Sequence, residues 1–388
     1  MNKFSDEKVQ DFIQKNLKTD LHKLILKGSP FEGITIQEIA TQIEGKNKTE
    51  KKLPTWYKTK SIIFPPKLNL EQSSSEITAA YKAQLINNGP LLDLTGGFGV
   101  DDYYFAHKAS AVTYCELNLE LSEIVKHNFE KLGIKNISFN VGDSKAVLYQ
   151  KTKYDTIYVD PSRRAETGRV FLLKDCEPNV VEDQNIYLKN ATKVIIKAAP
   201  MLDVQAALKD LKNVSEVHVV SVKNECKELL FILEDNKTEE PTIFCVLLNK
   251  DHQQIIPFKF SEEKTANPTA KPLLNYLYEP DVAILKAGLF KLLTTKYEVS
   301  KIHQHSHLYT SDELVDFPGK SFKVINKFLF DNFNGKQVPK QVNVVCRNFI
   351  LKPDELKKKF KLKDGGNNFL FFTTNYKEQK IVILAEKT

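Results

Sequence analysis

The sequence predicts an α/β fold, built on a doubly wound seven-stranded sheet that is mostly parallel and ends in an antiparallel hairpin. Short apolar strands alternate with helical stretches in the middle of the chain, and such alternation indicates parallel strands joined by crossover helices. These five strands are expected at residues 91–94, 111–115, 137–141, 155–159 and 193–197. Two more apolar runs, at 215–222 and 229–233, are separated by only six residues. Because six residues are too few for a crossover helix, the last two strands must form a hairpin.

Less regular segments flank this sheet. The first 50 residues show apolar side chains at helical spacing, and residues 51–72, which contain several prolines and the only tryptophan, Trp56, predict an extended connector. After residue 234 a polar stretch indicates a boundary, and the strands and helices beyond it lack a regular rhythm, which favours α+β structure. The predicted segments are an N-terminal helical region with its connector at 1–83, the sheet domain at 84–234, an α+β region at 235–320 and a basic domain at 321–388.

Composition excludes several classes of protein. With 41% hydrophobic residues among 388, the chain can bury a core without disulfides or metal. The five cysteines form no CxxC pair, which argues against a zinc ribbon and fits a reducing compartment. Since no apolar run approaches the ~18 residues of a membrane-spanning helix, we expect a soluble, cytoplasmic protein.

Positive charge is concentrated near the C-terminus. Residues 320–388 carry 15 basic and 6 acidic side chains, an excess larger than the net charge of +7 of the whole chain. This distribution is typical of a nucleic-acid-binding module, although a solvated lysine-rich surface would look the same. The lysines that could follow an RNA backbone are Lys357, Lys358, Lys359, Lys361 and Lys363. Neighbouring phenylalanines, at 360, 369, 371 and 372, could stack on bases or belong to a strand core.

A glycine-rich turn follows the first strand of the sheet. In the stretch Asp93-Leu-Thr-Gly-Gly-Phe-Gly-Val-Asp-Asp102, Gly97 and Gly99 would let a cofactor approach the backbone at a helix start. A dinucleotide fingerprint needs a third glycine, where this chain has Asp102, and a carboxylate there would oppose a pyrophosphate. The ammonium group of a methionine-derived sulfonium cofactor suits Asp93 better.

Acidic residues also end the next strands. Glu116, after the second strand, could accept the ribose hydroxyls of an adenosine, and Asp143, after the third, could accept the adenine amino group. Each of them could instead cap a helix. Because the carboxyl ends of parallel strands share one edge of a sheet, carboxylates at successive ends favour a ligand site.

The fourth strand runs into Asp160-Pro161-Ser162-Arg163-Arg164. Arg163 and Arg164 are two of only four arginines in the chain, and an arginine fork is suited to phosphate or to stacking on a base. Asp160 is expected at the edge where a transferred group would be presented. The fifth strand ends in Lys197, which could line the same crevice or extend into solvent.

Together these motifs resemble the class I S-adenosylmethionine-dependent methyltransferases, which have a Rossmann-like sheet. The DPSRR motif and the blocks at 276–290, 310–324 and 361–374 are similar, more narrowly, to an uncharacterised bacterial group with a C-terminal ferredoxin-like and THUMP-like region. The resemblance covers about residues 50–388. It implies S-adenosylmethionine as cofactor, and RNA, such as tRNA or rRNA, as partner, because THUMP modules are associated with RNA modification.

The resemblance also implies roles for individual residues. The cofactor would be held by Asp93, Thr95, Gly97, Gly99, Glu116, Asp143 and Asp160. The acceptor would face Asp160, Pro161, Arg163 and Arg164. Enzymes that methylate exocyclic amines carry an Asn/Asp-Pro-Pro-aromatic turn, from which Ser162 and Arg163 depart, and uracil-C5 enzymes need a cysteine after strand five, where this chain has Ala198 and Ala199. We therefore do not expect covalent catalysis.

Other functions are compatible with the same residues. The protein could methylate a small molecule or another protein, or it could be an RNA-binding protein that keeps the cofactor site without turnover. A nicotinamide-dependent dehydrogenase is a further alternative. His303, His305 and His307 alternate and would share one face of a strand. No carboxylate or cysteine stands close to them in sequence, so we expect no metal site.

Overall fold

The computed structural model describes residues 2–150, 152–163, 172–235, 239–250 and 252–388. The chain forms two compact units. The first unit comprises Met1–Val217 and Glu228–Glu239, and the second comprises His218–Lys227 and Glu240–Thr388. The N-terminal helices therefore belong to the same unit as the parallel sheet. The domain boundaries at 83, 234 and 320 stay predictions.

Short helices fill the N-terminal part of the first unit. After a 3-10 turn at Asn2–Ser5 they are α1 (Glu7–Lys15), α2 (Leu21–Leu26), α3 (Ile36–Lys52), α4 (Pro54–Lys58), α5 (Lys67–Gln72) and α6 (Glu76–Leu85). The prediction of an extended connector over 51–72 is wrong, because α4 and α5 lie within it. Pro54 is the first residue of α4, where a missing N–H costs no hydrogen bond. Trp56 on α4 is completely buried.

The strands between residues 91 and 234 confirm the predicted fold class. They are β1 (Leu91–Asp93), β2 (Val112–Glu116), β3 (Ile137–Val141), β4 (Tyr154–Val159), β5 (Ser162–Arg163), β6 (Cys176–Glu177), β7 (Ala191–Ala198), β8 (Val214–Val222) and β9 (Glu225–Glu234). Seven of them follow the order β8-β9-β7-β4-β1-β2-β3, and β5 pairs with β6 separately. Strands β3, β2, β1, β4 and β7 are parallel, whereas β9 is antiparallel to β7.

Helices join the parallel strands, as expected for a doubly wound sheet. They are α7 (Val100–Ala106), α8 (Leu119–Leu132), α9 (Lys145–Leu148), α10 (Val180–Asn190) and α11 (Val204–Asp210). Strands β8 and β9 are joined directly through Lys223 and Asn224, whose φ angles are +52° and +62°. Two consecutive positive φ angles are typical of the tight hairpin turn that the spacing required.

Two apolar cores stabilise the first unit. One contains the N-terminal helices, the glycine turn and α8, and in it the Trp56 ring lies 4.9 Å from Tyr103 and 6.3 Å from Phe98. The other packs Phe105 of α7 against Tyr158 of β4 and includes Ile195 and Ile232. The turn after β1 is thus held by aromatic packing from the N-terminal helices.

The second unit contains mixed elements, as predicted for the C-terminal part. They are β10 (Thr242–Leu248), β11 (Gln253–Phe258), α12 (Phe260–Thr265), β12 (Tyr276–Pro280), α13 (Val282–Ala287), α14 (Leu293–Lys296), β13 (Ser300–Lys301), β14 (Tyr309–Ser311), β15 (Gly319–Leu329), a 3-10 turn (Phe330–Asn332), β16 (Asn343–Cys346), α15 (Pro353–Phe360), β17 (Asn368–Thr374) and β18 (Lys380–Lys387). Gly288 adopts φ +81° and ends α13, so that α13 and α14 are separate helices.

A seven-stranded sheet organises this unit, in the order β13-β14-β12-β15-β18-β17-β16. Neighbouring strands are antiparallel except for β16 and β17. Along β17, Phe372 belongs to one apolar core and Phe371 to another, as expected for alternating side chains on two covered faces. Both rings are completely buried, so the hypothesis that they stack on bases is wrong for these two residues. Within the described ranges, no helix is long and apolar enough to span a membrane.

Candidate active site

The glycine turn after β1 is packed against the protein at Gly96 and Gly99 and faces open space at Gly97. Gly97 and Gly99 adopt φ +56° and +72°, which side chains rarely tolerate. A Cβ on Gly96 would lie 2.1 Å from the Tyr114 ring, and one on Gly99 would lie 2.7 Å from a side-chain atom of α8. A Cβ on Gly97 would meet only the Thr95 carbonyl oxygen, at 3.7 Å. The Cα of Gly97 therefore faces open space, whereas its N–H and its carbonyl oxygen are hydrogen-bonded to Glu116 and Tyr114.

Glu116, at the end of β2, lies beside this turn. Its Oε2 accepts a hydrogen bond from the Gly97 N–H at 3.0 Å, and its Oε1 accepts one from the Asn118 N–H at 2.8 Å. Each carboxylate oxygen can accept a second hydrogen bond. The side chain is thus oriented by the turn and retains capacity for two hydroxyl groups of a ligand.

Asp143, after β3, is exposed and its Oδ1 accepts a hydrogen bond from the Lys145 N–H at 2.9 Å. This contact is a cap at the start of α9, so the helix-cap interpretation describes part of its role. The other carboxylate oxygen remains available to a donor on the same edge of the sheet.

Thr95 ties the ends of β1 and β4 together. Asp93 is almost completely buried, and its Oδ1 accepts hydrogen bonds from the Thr95 N–H at 2.7 Å and from the Thr95 hydroxyl at 3.2 Å. The Thr95 hydroxyl oxygen accepts the Asp160 N–H at 2.7 Å. Three residues predicted to hold the cofactor are thereby brought into one hydrogen-bonded chain.

Asp102 lies fully buried, beside Asp93. Burial, with added repulsion from Asp101 and Asp160, raises the pKa of Asp93 to about 8. Burial together with the neighbouring Asp93 raises the pKa of Asp102 well above its usual range. Asp102 therefore faces the protein interior and not the ligand side of the turn. The argument that its charge opposes a pyrophosphate is wrong.

Asp160, which is predicted to face the acceptor, has a side chain that is 35% exposed. Pro161 is buried, and Ser162 pairs with Glu177 where β5 meets β6. The backbone of Arg163 lies in β5. The Arg163 side chain and the whole of Arg164 fall outside the described residues.

Lys197, near the end of β7, contacts the Asp160 carboxylate directly, and its side chain is only 12% exposed. The alternative that this lysine extends into solvent is wrong. Burial by itself would lower the pKa of Lys197, but Asp160, Asp101 and Glu228 outweigh burial and raise that pKa. Lys197 is consequently a fixed cation at the edge of the site.

A buried charge cluster, consisting of Lys82, Asp101 and Glu228 with Ser74 and Tyr158, lies in the same unit. The Lys82 ammonium is fully buried and contacts Glu228 at 2.8 Å and Asp101 at 3.2 Å. Ser74 and Tyr158 donate hydrogen bonds to Asp101 at 2.9 and 2.8 Å. Sequence analysis missed this cluster. Its one signal in the sequence is Glu228, which stands directly before the apolar run 229–233. A carboxylate that is buried with such a run needs a partner of opposite charge.

The predicted RNA-binding lysines lie on and just after α15. Lys357 is paired with Asp354 at 2.8 Å and Asp364 at 2.7 Å. Lys359 lies over the rings of Phe330 and Phe360, at 4.9 and 5.3 Å. The other three, Lys358, Lys361 and Lys363, are exposed and form no ion pair within the described part of the chain.

The three histidines do not share a strand face, because they follow β13 in an irregular turn. His303 lies 2.9 Å from Glu378, and His307 stacks on Phe290 with ring centroids 3.9 Å apart. Among the described residues, no group of three or more His, Cys, Asp or Glu side chains could hold a metal.

The strand order and the glycine turn after β1 together define a class I methyltransferase fold. The second unit matches two families. Residues 276–318 match a ferredoxin-like domain family, and residues 319–387 match a THUMP domain-like family. A crystal structure from Porphyromonas gingivalis W83, described as a "putative methyltransferase", is 32% identical, covers 99% of both chains and superposes with a TM-score of 0.89. The chain belongs to the family of that protein, methyltransferases with ferredoxin-like and THUMP-like C-terminal regions.

A second relative matches part of the chain. An uncharacterized RNA methyltransferase of Mycoplasma mobile is 37% identical over 159 residues, which is 39% of this chain. The match spans 42% of that relative's length.

Proposed function

We propose that the protein is an S-adenosylmethionine-dependent methyltransferase that acts on structured RNA. The observation that carries the cofactor assignment is the hydrogen bond from the Gly97 N–H to Glu116. This bond holds a carboxylate beside a glycine turn that faces open space at Gly97. S-adenosylmethionine would supply an electrophilic methyl group on a sulfonium centre.

The donor set fits this cofactor. Glu116 would accept the two ribose hydroxyls and Asp143 the adenine amino group, and the absence of a side chain at Gly97 would leave room for the cofactor beside the turn. Asp93 is buried and would act indirectly, since the hydrogen bonds that it accepts from Thr95 fix the start of the turn. Gly99 allows the chain to enter α7.

On the acceptor side, Asp160 is the partly exposed carboxylate at the end of β4. An ionised carboxylate only accepts hydrogen bonds, so it would orient an acceptor group that donates one. As the acceptor forms its bond to the methyl carbon it must lose a proton, and Asp160 or water can take it. Lys197 stays protonated and cannot. Positioning of the acceptor is the main contribution expected from these residues.

The basic surface of the second unit supports RNA as the substrate. Lys358, Lys361 and Lys363 are exposed at the end of α15, and the Lys363 N–H bonds to the carbonyl oxygen of Lys340, which brings a further exposed lysine beside them. The family matches to a THUMP domain-like region and to a relative named as an RNA methyltransferase agree with this assignment.

Exposed lysines on this surface should contribute to salt-dependent RNA binding. Replacing Lys358, Lys361 or Lys363 by Ala is expected to lower the slope of log affinity against log salt by roughly 0.7–0.9 each, because each lysine would neutralise one phosphate. Lys357 should contribute less, since two aspartates already pair with it. The measurement is RNA binding by fluorescence anisotropy at several salt concentrations. Lys264→Ala, on α12, is the control, and an equal effect there would contradict the assignment.

Transfer of radiolabelled methyl groups tests the proposed function as a whole. The protein is incubated with labelled S-adenosylmethionine and total RNA from a strain that lacks it. We expect label in RNA over many turnovers, and nucleoside digestion would identify the modified atom. Cofactor binding without transfer to RNA would instead favour a small-molecule or protein acceptor, or an RNA-binding protein without turnover.

A further inference from the structure

We propose that Lys197 is a positioning residue of the methyl-transfer site, which holds the Asp160 carboxylate in place. The inference rests on the proposed function, because it assigns a role to the carboxylate that would face the acceptor. It gives a defined role to Lys197, for which the sequence alone left two alternatives open.

Strand register brings Lys197 to Asp160. Val159 of β4 lies opposite Ile196 of β7, so the next residue of each strand lies at the same sheet edge. The two side chains are in direct contact there, with the ammonium 12% exposed and the carboxylate 35% exposed. Lys197 therefore approaches Asp160 from the protein side and leaves the solvent side of the carboxylate to an acceptor.

Asp160 is fixed at two points. Its N–H donates to the Thr95 hydroxyl at 2.7 Å, which anchors the backbone to the glycine turn. Its side chain is anchored only by Lys197 among the described residues. Removing the lysine would leave the backbone in place and release the carboxylate, so that orientation rather than the fold of the turn would change.

The charges around this pair come from every packed element. Asp93 lies on β1, Asp101 on α7 and Glu228 on β9, while Lys82 on α6 bridges Asp101 and Glu228. Tyr158, on β4, donates to Asp101. Among the described residues, the carboxylates of Asp101, Glu228 and Asp160 are thus paired with the two ammonium groups of Lys82 and Lys197.

Loss of Lys197 would unbalance this arrangement. Among the described residues, Lys82 would then be the one ammonium group in contact with Asp101 and Glu228, and the Asp160 side chain would have no cation beside it. The Asp160 carboxylate would be free to turn away from the acceptor, because its contact with Lys197 is lost.

Steady-state kinetics of the full chain test the role in transfer. Lys197→Met is expected to lower kcat about 100-fold, the scale of a misplaced reacting group, while cofactor affinity is unchanged. The KM for RNA should change much less than kcat, and Lys197→Arg should restore most of kcat. Lys193→Met is the matched control, since Lys193 lies on the same strand and pairs with Glu234 at 3.5 Å. An unchanged kcat in Lys197→Met, or loss of cofactor binding in proportion to kcat, would overturn the proposal.

A measurement without cofactor or RNA separates this inference from the proposed function. In protein labelled with ¹⁵N-lysine, buried paired ammonium groups exchange their protons slowly, and Lys197→Met and Lys82→Met assign the two signals. Asp160→Asn should abolish protection of the Lys197 signal, whereas Asp143→Asn should not. Retained protection in Asp160→Asn would overturn the pairing. If the pairing holds and no acceptor is methylated, the proposed function fails instead.

Discussion

Lys82→Met is expected to destabilise the first unit by about 3–5 kcal/mol, because it leaves buried carboxylates without their cation. Lys82 has no exposed surface, and both Glu228 and Asp101 lie within 3.2 Å of its ammonium. Urea unfolding followed by tryptophan fluorescence measures this loss, since the only tryptophan, Trp56, is buried in the core of the same unit.

Lys145→Met is the matched control for this result. Lys145 also forms an ion pair, with Asp183 at 2.9 Å, but its side chain is 41% exposed. Partly exposed pairs of this kind contribute about 1 kcal/mol or less. Equal losses in the two variants would show that the buried charge cluster does not stabilise the fold. Lys82→Met combined with Glu228→Gln should cost less than the sum of the single changes, because both side chains belong to one cluster.

Asp160→Asn is expected to reduce methyl transfer at least about 100-fold, the scale found for a positioned acid or base. The substitution preserves the backbone N–H that bonds to Thr95, so the turn should remain intact. Cofactor affinity should consequently fall much less than the transfer rate. The measurement is the initial rate of label transfer with saturating RNA, together with cofactor binding by calorimetry.

Asp155→Asn provides the comparison on the same strand. Asp155 lies near the start of β4, at the opposite edge of the sheet from Asp160. We expect its transfer rate to match that of the unmodified protein. Asp160→Asn retaining more than about a tenth of the rate would remove Asp160 from the catalytic step.

The fold of the first unit could be predicted because the strand–helix alternation is strong. All five parallel strands and the hairpin lie within a few residues of their predicted positions. The extended connector predicted over 51–72 is wrong because its prolines suggest a break in helical structure, although proline at the first position of α4 is compatible with a helix. Likewise, the interruption at Gly288 depends on one left-handed residue within an otherwise continuous helical pattern.

The candidate site was predictable only where strand ends determine it. Asp93, Thr95, Gly97, Glu116 and Asp160 meet at one edge because parallel strands bring their carboxyl ends together. The contact between Lys197 and Asp160 depends on side-chain direction, which strand periodicity does not reveal. Lys82 and Glu228 are 146 residues apart in sequence, and nothing local to either one indicates its partner.

Titration of S-adenosylmethionine into the full chain tests the central claim most directly, that the glycine turn and Glu116 form its binding site. We predict saturable binding that Glu116→Ala weakens at least about tenfold, as expected for loss of hydrogen bonds to a charged group. Glu120→Ala, an exposed carboxylate in the first turn of α8, should leave the affinity unchanged. Binding of a nicotinamide dinucleotide in place of S-adenosylmethionine, or an affinity unaffected by Glu116→Ala, would contradict the claim.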